Sequence, residues 1–491
     1  VSLHGQGFLR RILTGLSEGC NIFLDRQGRK NMENQKHPLR ITVALLFVVC
    51  LGLPFVPLVW GQDKEAKIPG TSSDQGSEAL KMLSGYLSKA ALQNPELESA
   101  FYRWKAALEK IPQVKALPDP RFTFAYYIQN VETRVGPQEA RLALFQTFPW
   151  FGILDLREDV AAQEANAAKA QYDALKLKIF YDVKNAFYEY AYLAQSVQIT
   201  KEDIELLRYF ESVTRARYSA GATPFADVVR TEVQLGRLED RLNTLQDLRR
   251  PLMAKLAASM NLPPSTEFPW PPEVPVMLLS VTDEELFKEL PQHSPQIKRF
   301  EYLEARERAG IELAKKDFYP DVTFGIEDII TGPALIPTTP DSGMDAVIAS
   351  VTVTIPFWWE KRRAAVREGQ AKLASATKGA EALKLSLLSD MELALYKYRD
   401  AQRKIDLYHN TLIPKAEESL GVTLEAFQAG TRSSLDLIDA EKTLLEFELS
   451  YIRALADQAQ RLAELEWLLG KEIPCEIHGA VVPRHGESLK P

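Results

Sequence analysis

The sequence predicts a mainly α-helical protein with a small membrane β-part, built twice over from a helix, a β-hairpin and a long helical hairpin. Three observations lead there. First, the chain is duplicated. Pro95, Pro120, Thr123 and Phe124 recur 200 residues later as Pro295, Pro320, Thr323 and Phe324. Ala174, Leu175, Lys176, Leu177, Asp182, Tyr188 and Tyr190 recur after 208 as Ala382, Leu383, Lys384, Leu385, Asp390, Tyr396 and Tyr398. Ala220, Gly221 and Asp227 recur after 209 as Ala429, Gly430 and Asp436. A period this long is the duplication of half a protein and not a solenoid repeat. Second, each half holds segments that alternate apolar and polar residues. Third, each half holds a stretch of about 65 residues suited to one helix, which at 1.5 Å per residue is about 100 Å long.

Taken in order, each half reads as helix, two strands, long helix, shorter helix. The first helix is expected over 78–111 and its copy over 282–318. Both lead to a proline. In the strand that follows, Phe122, Phe124, Tyr126 and Ile128 alternate with Thr123, Ala125, Tyr127 and Gln129. In its copy Val322, Phe324 and Ile326 alternate with Thr323, Gly325 and Glu327. Period two with one apolar face is a strand pattern. Return strands are expected over 141–148, with a less regular pattern, and over 349–355, where Ala349, Val351, Val353 and Ile355 oppose Ser350, Thr352 and Thr354. Gly136-Pro137 and Gly332-Pro333 supply turn residues between them.

Four strands of about 9–10 residues have the length of tilted membrane-crossing strands. A soluble four-stranded sheet gives the same pattern. Four strands do not close a barrel, and lipid leaves the edges of an open sheet unsatisfied. If the strands cross a membrane, several chains must share one barrel.

Residues 153–220 carry no proline, and the copy over 361–429 has Pro414 as the expected kink. Leu193, Val197, Thr200, Ile204 and Leu207 follow the 4-3-4-3 spacing of a coiled-coil seam. Ala161, Ala162, Ala165, Ala167, Ala168 and Ala170 offer small side chains for close backbone approach. Each long helix ends at a turn and reverses. The first tip is Ser219-Ala220-Gly221-Ala222-Thr223-Pro224, with Gly221 in the left-handed position after a helix, Thr223 as N-cap and Pro224 in the first turn. The second runs from Gln428 through Gly430 to Ser434, with Ser433 and Asp436 spaced as a capping box.

The domain boundaries expected are residues 1–61 for a signal-peptide region, 62–262 for the first repeat, 263–281 for a proline-rich linker, 282–474 for the second repeat and 475–491 for a tail. From Met32 the sequence has the form of a secretory signal: Lys36 and Arg40, then an apolar run over 41–59, then Gly61. The competing readings are a true membrane anchor, since the run is about long enough to span, and lipid attachment at Cys50. Pro54 and Pro57 favour a processed signal. The residues before 62 carry seven Lys/Arg against three Asp/Glu, so the −7 of the whole chain becomes −11 beyond them. An acidic exported chain is a poor nucleic-acid binder. Beyond residue 61 only Cys475 remains, which excludes an intramolecular disulfide there.

With the duplicated order and the two tips in hand, the chain resembles the TolC family of outer-membrane efflux proteins over nearly all of its length after residue 61. The sharper motif is Gly430-Thr431-Arg432-Ser433-Ser434-Leu435-Asp436-Leu437-Ile438-Asp439-Ala440; its weaker partner runs from Gly221 to Asp227 and Val228. The segment around Asn94-Pro95 and Leu117-Pro118-Asp119-Pro120 also looks like that of heavy-metal and multidrug members, a branch linked to pumps of the resistance-nodulation-division (RND) type. The resemblance implies a homotrimer in the outer membrane of a Gram-negative bacterium. Its 12-stranded β-barrel is continued across the periplasm by a 12-helix α-barrel. The tips form a gate that meets a periplasmic adaptor and an inner-membrane pump, and passage is passive.

Asp436 and Asp439 lie three apart on one helix face. The plain role of Asp436 is capping and dipole stabilisation at a helix N-terminus. Asp439 gains less from that term, and its repeat partner is Arg230. The resemblance places this acidic pair at the narrow periplasmic gate, where three copies make rings of like charge that favour cations. It also implies a latch between Arg432 and Asp227 of the neighbouring hairpin, with Phe427 standing where a tyrosine hydroxyl can bond and Ala226 where a threonine can. The plain role of Arg432 is a solvated turn residue. Gly221 and Gly430 mark the hairpin tips. No catalytic, cofactor or metal chemistry is expected: His293, His409, His478 and His485 lack metal-ligand spacing, and neither a phosphate-binding glycine loop nor a nucleophile elbow occurs. The rival functional reading is a periplasmic coiled-coil adaptor or scaffold without a barrel. A third is an inner-membrane-anchored protein.

Overall fold

The computed structural model describes residues 72–479, with side chains from residue 78 onward. The expected signal region, residues 1–61, and the end of the tail lie outside the described residues. The described chain is mainly helical with two small sheets. No helix of the described residues is long and apolar enough to cross a membrane.

The first helix of each half is in fact two. Helices α1 (Ser72–Gln93) and α2 (Pro95–Lys115) meet at Asn94, whose Oδ1 accepts from the backbone N–H of Glu96 at 2.9 Å and of Leu97 at 3.2 Å. In the second half, α5 (Asp283–His293) and α6 (Pro295–Lys316) meet at Ser294. Pro95 and Pro295 stand at the first position of the new helix. There their missing N–H costs nothing, while the residue before each is pushed out of the helical region. The single helices expected over 78–111 and 282–318 are corrected on this account.

Strands β1 (Arg121–Thr133), β2 (Gly136–Phe148), β4 (Val322–Thr331) and β5 (Ala346–Val353) form one antiparallel sheet in the order β1-β2-β4-β5. β2 starts five residues before the expected 141, with a register shift between Gln138 and Ala140. Ile355, expected in the last strand, lies beyond its end. Phe122, Leu144, Ile326 and Ala349 are direct cross-strand partners, as are Phe148, Val322 and Val353. That face is bare: Phe122 is 68 %, Ile128 98 % and Val351 62 % exposed. The opposite face is polar. Thr147 and Thr323 share a hydrogen bond of 2.8 Å, and Arg141 pairs with Glu327. Gly325 lies on this polar face, where a Cβ would sit 2.5 Å from both the Phe145 ring and Ser350 Oγ, so a larger residue would force these side chains to move.

Below the sheet, α3 (Ile153–Ser219) is one unbroken helix of 67 residues and returns as α4 (Phe225–Ser259). Its copy is interrupted: α7 (Trp359–Leu407) passes through a π-turn at Tyr408–Leu412 into α8 (Ile413–Gln428), then returns as α9 (Ser434–Leu469). The π-turn precedes Pro414, which has no N–H to donate back along the helix. α3 packs against α2, α4, α6 and α9, and α9 against α7 and α8. The whole expected seam, Leu193, Val197, Thr200, Ile204 and Leu207, is buried.

The duplicated tyrosines act as anchors for the segment joining the halves. Tyr190 donates to the Phe268 carbonyl at 3.1 Å, and Tyr398 to the Met277 carbonyl at 2.6 Å. The Tyr398 hydroxyl also accepts from Leu279 N–H at 3.0 Å. Within that segment β3 (Val276–Leu279) pairs with β6 (Cys475–His478), so the proline-rich stretch and the start of the tail form the second sheet. Tyr398→Phe strands a buried carbonyl and is expected to destabilise the protein by about 1–3 kcal/mol, read as a lowered Tm; an unchanged Tm would contradict the anchor.

Candidate functional site

The two hairpin tips are built by local backbone chemistry. Gly221 and Gly430 have φ of +71° and +82°, the left-handed conformation that ends α3 and α8. At the second tip Ser433 and Asp436 form a complete capping box. Asp436 N–H donates to Ser433 Oγ at 3.3 Å, and Ser433 N–H donates to Asp436 Oδ2 at 3.1 Å. The Ser433 backbone N–H first, then its hydroxyl, then the charge of Arg432 hold the Asp436 carboxyl below the usual carboxylate range. Asp439 lies almost one turn further along α9, fully at the surface.

The first tip differs. Pro224, and not Thr223, is the N-cap of α4. The Thr223 hydroxyl instead donates to Asp227 Oδ2 at 2.5 Å, and Arg230 donates to Asp227 Oδ1 at 3.1 Å. Asp227 is thereby buried within its own hairpin. Arg432 is exposed and makes no ion pair among the described residues, so the pairing of Arg432 with Asp227 is not formed within one chain.

The contact that joins the tips within the chain is Arg217, which sequence reasoning missed. From the last turn of α3 its guanidinium donates to the Phe427 carbonyl and, at 2.7 Å, to the Gln428 carbonyl. It also lies over the Phe427 ring, 4.9 Å from the centroid. These carbonyls end α8, where the Phe427 carbonyl also accepts from the Gly430 N–H at 3.0 Å, and a cation there complements the helix dipole. Phe427, expected as a latch position, is buried and serves as the floor on which Arg217 rests. The one available signal was a basic residue in a last turn.

A second feature also escaped the sequence. Asp203 on α3 and Glu441 and Glu448 on α9 are each only 1 % exposed. Burial, then the hydrogen bond and charge of Glu441, then Glu448 push the Asp203 carboxyl well up, while Arg241 pulls it down less. Burial beside two further carboxylates therefore favours the neutral form of Asp203 at the α3–α9 contact. Among the described residues no group of three or more His, Cys, Asp or Glu is placed to hold a metal.

Comparison with known proteins identifies the architecture. The chain is 20% identical over 412 residues to the cobalt-zinc-cadmium resistance protein CzcC of Cupriavidus metallidurans, covering 79% of this chain and 90% of that one. It is 20% identical over 423 residues to nodulation protein T of Rhizobium leguminosarum bv. trifolii, covering 79% and 85%. In structure it is similar to the outer membrane protein VceC of Vibrio cholerae, with TM-score 0.64, 19% identity and coverage of 80% of this chain and 96% of that one. It is also similar to the open-state outer membrane channel MtrE of Neisseria gonorrhoeae, with TM-score 0.61, 16% identity and coverage of 79% and 89%. The sequence profile of the outer membrane efflux protein family matches residues 86–262 and 286–471, one match for each half. This chain therefore belongs to the outer membrane efflux protein family.

Proposed function

We propose that three copies of this chain close a 12-stranded barrel in the outer membrane, continued by twelve helices that form a periplasmic exit duct. Family membership makes the chain an outer-membrane efflux channel protein and not an enzyme. The assembly, the gate and the individual partners are our reading. The single observation that carries it is the open sheet. Four strands with an exposed apolar face on one side and polar side chains on the other have the two-sided character of a barrel wall. A scaffold without a barrel would leave that apolar face in water.

An aromatic cluster supports the same orientation. Phe151, Phe357, Trp358 and Trp359 are all exposed, and they stand where β2 and β5 pass into helices. Such rings collect at membrane–water boundaries. The boundary then lies at the helical end of the sheet, and the loops after Thr133 and Thr331 lie at the far side.

The duct works with a periplasmic adaptor and an inner-membrane pump of the RND type, which supplies the energy. The cargo belongs to the pump: one relative is a metal-resistance protein, and another is described as a toxin and drug export protein. The gate is the ring of tips. Asp436 and Asp439 face the lumen there in three copies, and Arg432 of one chain reaches Asp227 of its neighbour. Arg217 holds the two tips of each chain together, so that the hairpins move as one unit.

Two outcomes test this. In planar bilayers the wild-type channel is expected to prefer cations, and Asp436→Asn with Asp439→Asn to shift the reversal potential toward zero selectivity; an unmoved reversal potential would contradict the acidic gate. Arg217→Ala and Arg432→Ser are each expected to raise single-channel conductance by loosening the tips. Unchanged conductance in Arg432→Ser would remove the latch between chains, and unchanged conductance in Arg217→Ala would remove the clamp within one.

A further inference from the structure

Asp203 of α3 lies inside the contact that joins the two hairpins and takes no part in the tips or the sheet. It faces α9, where Glu441 and Glu448 stand seven residues apart, about two turns along one helix face. All three carboxyls are buried. The positions that flank them are apolar: Ile199, Ile204 and Leu207 of α3, Leu238 of α4, and Leu444 and Leu445 of α9 belong to one buried cluster. From α4 the cation that acts on Asp203 is Arg241. Arg237, Lys404, Lys442 and Arg453, with Glu446 and Asp457, line the adjoining cavity between α4, α7 and α9.

An ionised carboxylate in such a place loses its water, and an apolar wall does not replace it. Neighbouring carboxyls add like charge, which also disfavours ionisation. Burial is the largest of these effects on Asp203, Glu441 and Glu448 follow, and the opposing pull of Arg241 is smaller. A carboxyl shifted upward in the folded chain binds its proton more tightly there than in the unfolded chain. Its support for the contact is therefore complete below the ordinary carboxylate range and is lost as pH rises toward the shifted value. Asp436 has the opposite sign: its cap holds the carboxyl below that range, so it supports its helix only while ionised.

We infer that the α3–α9 contact is a proton-responsive joint between the two hairpins, firm while Asp203 carries its proton and loosened when Asp203 ionises. α3 belongs to the first hairpin and α9 to the second, so ionisation at this level weakens their contact away from the Arg217 clamp. The tips stay tied by Arg217, whose guanidinium keeps its charge throughout this range. The joint belongs to the fold of one chain. It does not require three copies, and its failure would leave the exit duct standing.

Amide hydrogen exchange of the detergent-purified full chain at pH 5 and pH 8 tests the joint, with wild type and Asp203→Asn compared at each pH. The substitution keeps the size and polarity of the side chain and removes its ionisation. α9 has the same sequence in both proteins, so intrinsic exchange rates cancel over residues 437–449. The ratio of wild-type to variant exchange there is expected to be at least about threefold larger at pH 8 than at pH 5. Thermal unfolding is expected to follow, with the Tm advantage of the variant growing by at least about 2 °C over the same interval. Glu205→Gln removes the same charge two residues away, from the exposed pair with Arg208, and is expected to show neither change. If Asp203→Asn fails to fold, Glu441→Gln is read in its place with the same expectation. No difference from wild type, a difference independent of pH, one that grows on acidification, or one matched by Glu205→Gln would overturn the inference.

Discussion

The structure depends on one constraint: a backbone N–H or C=O in lipid must have a partner. β1 and β5 are the edges of the sheet within one chain, and each presents a row of unpaired backbone groups on its outer side. Water satisfies such a row, but a bilayer does not. A sheet with an apolar outer face and open edges is therefore incomplete as a single copy. In the trimer proposed above, β1 of one copy joins β5 of the next, which supplies partners for both edges and closes the wall.

The two copies then share a plan and divide the work. The duplicated Tyr190 and Tyr398 are used in the same way, each pinning the segment between the halves. The tips are not used in the same way. Asp227 is consumed by Thr223 and Arg230, whereas Asp436 is spent on its capping box and Asp439 stays free at the surface. α3 is straight-through, while its copy carries a π-turn before Pro414. Arg217 couples the second tip to the first hairpin.

The duplication, the alternating strands, the coiled-coil seam and the glycine turns were all legible in the sequence, because each rests on local spacing or on the shift between copies. The π-turn was half legible, since Pro414 marked the place but not the form. The breaks at Asn94 and Ser294 were available in Asn94-Pro95 and Ser294-Pro295 and were overridden by the helical pattern on either side. Three features were beyond reach. Arg217 bonds to carbonyls some 210 positions away, Asp203 meets Glu441 only after α3 and α9 pack, and β3 pairs with a strand nearly 200 residues later. None leaves a periodic trace. The Arg432–Asp227 pairing came from resemblance alone, and a single chain does not form it.

The central claim is that one chain supplies a third of a closed wall. Native mass spectrometry of the protein extracted from outer membranes in mild detergent tests it most directly. A complex of three chains that dissociates to monomers on heating is the predicted result. A stable, folded single chain inserted in the membrane would contradict it.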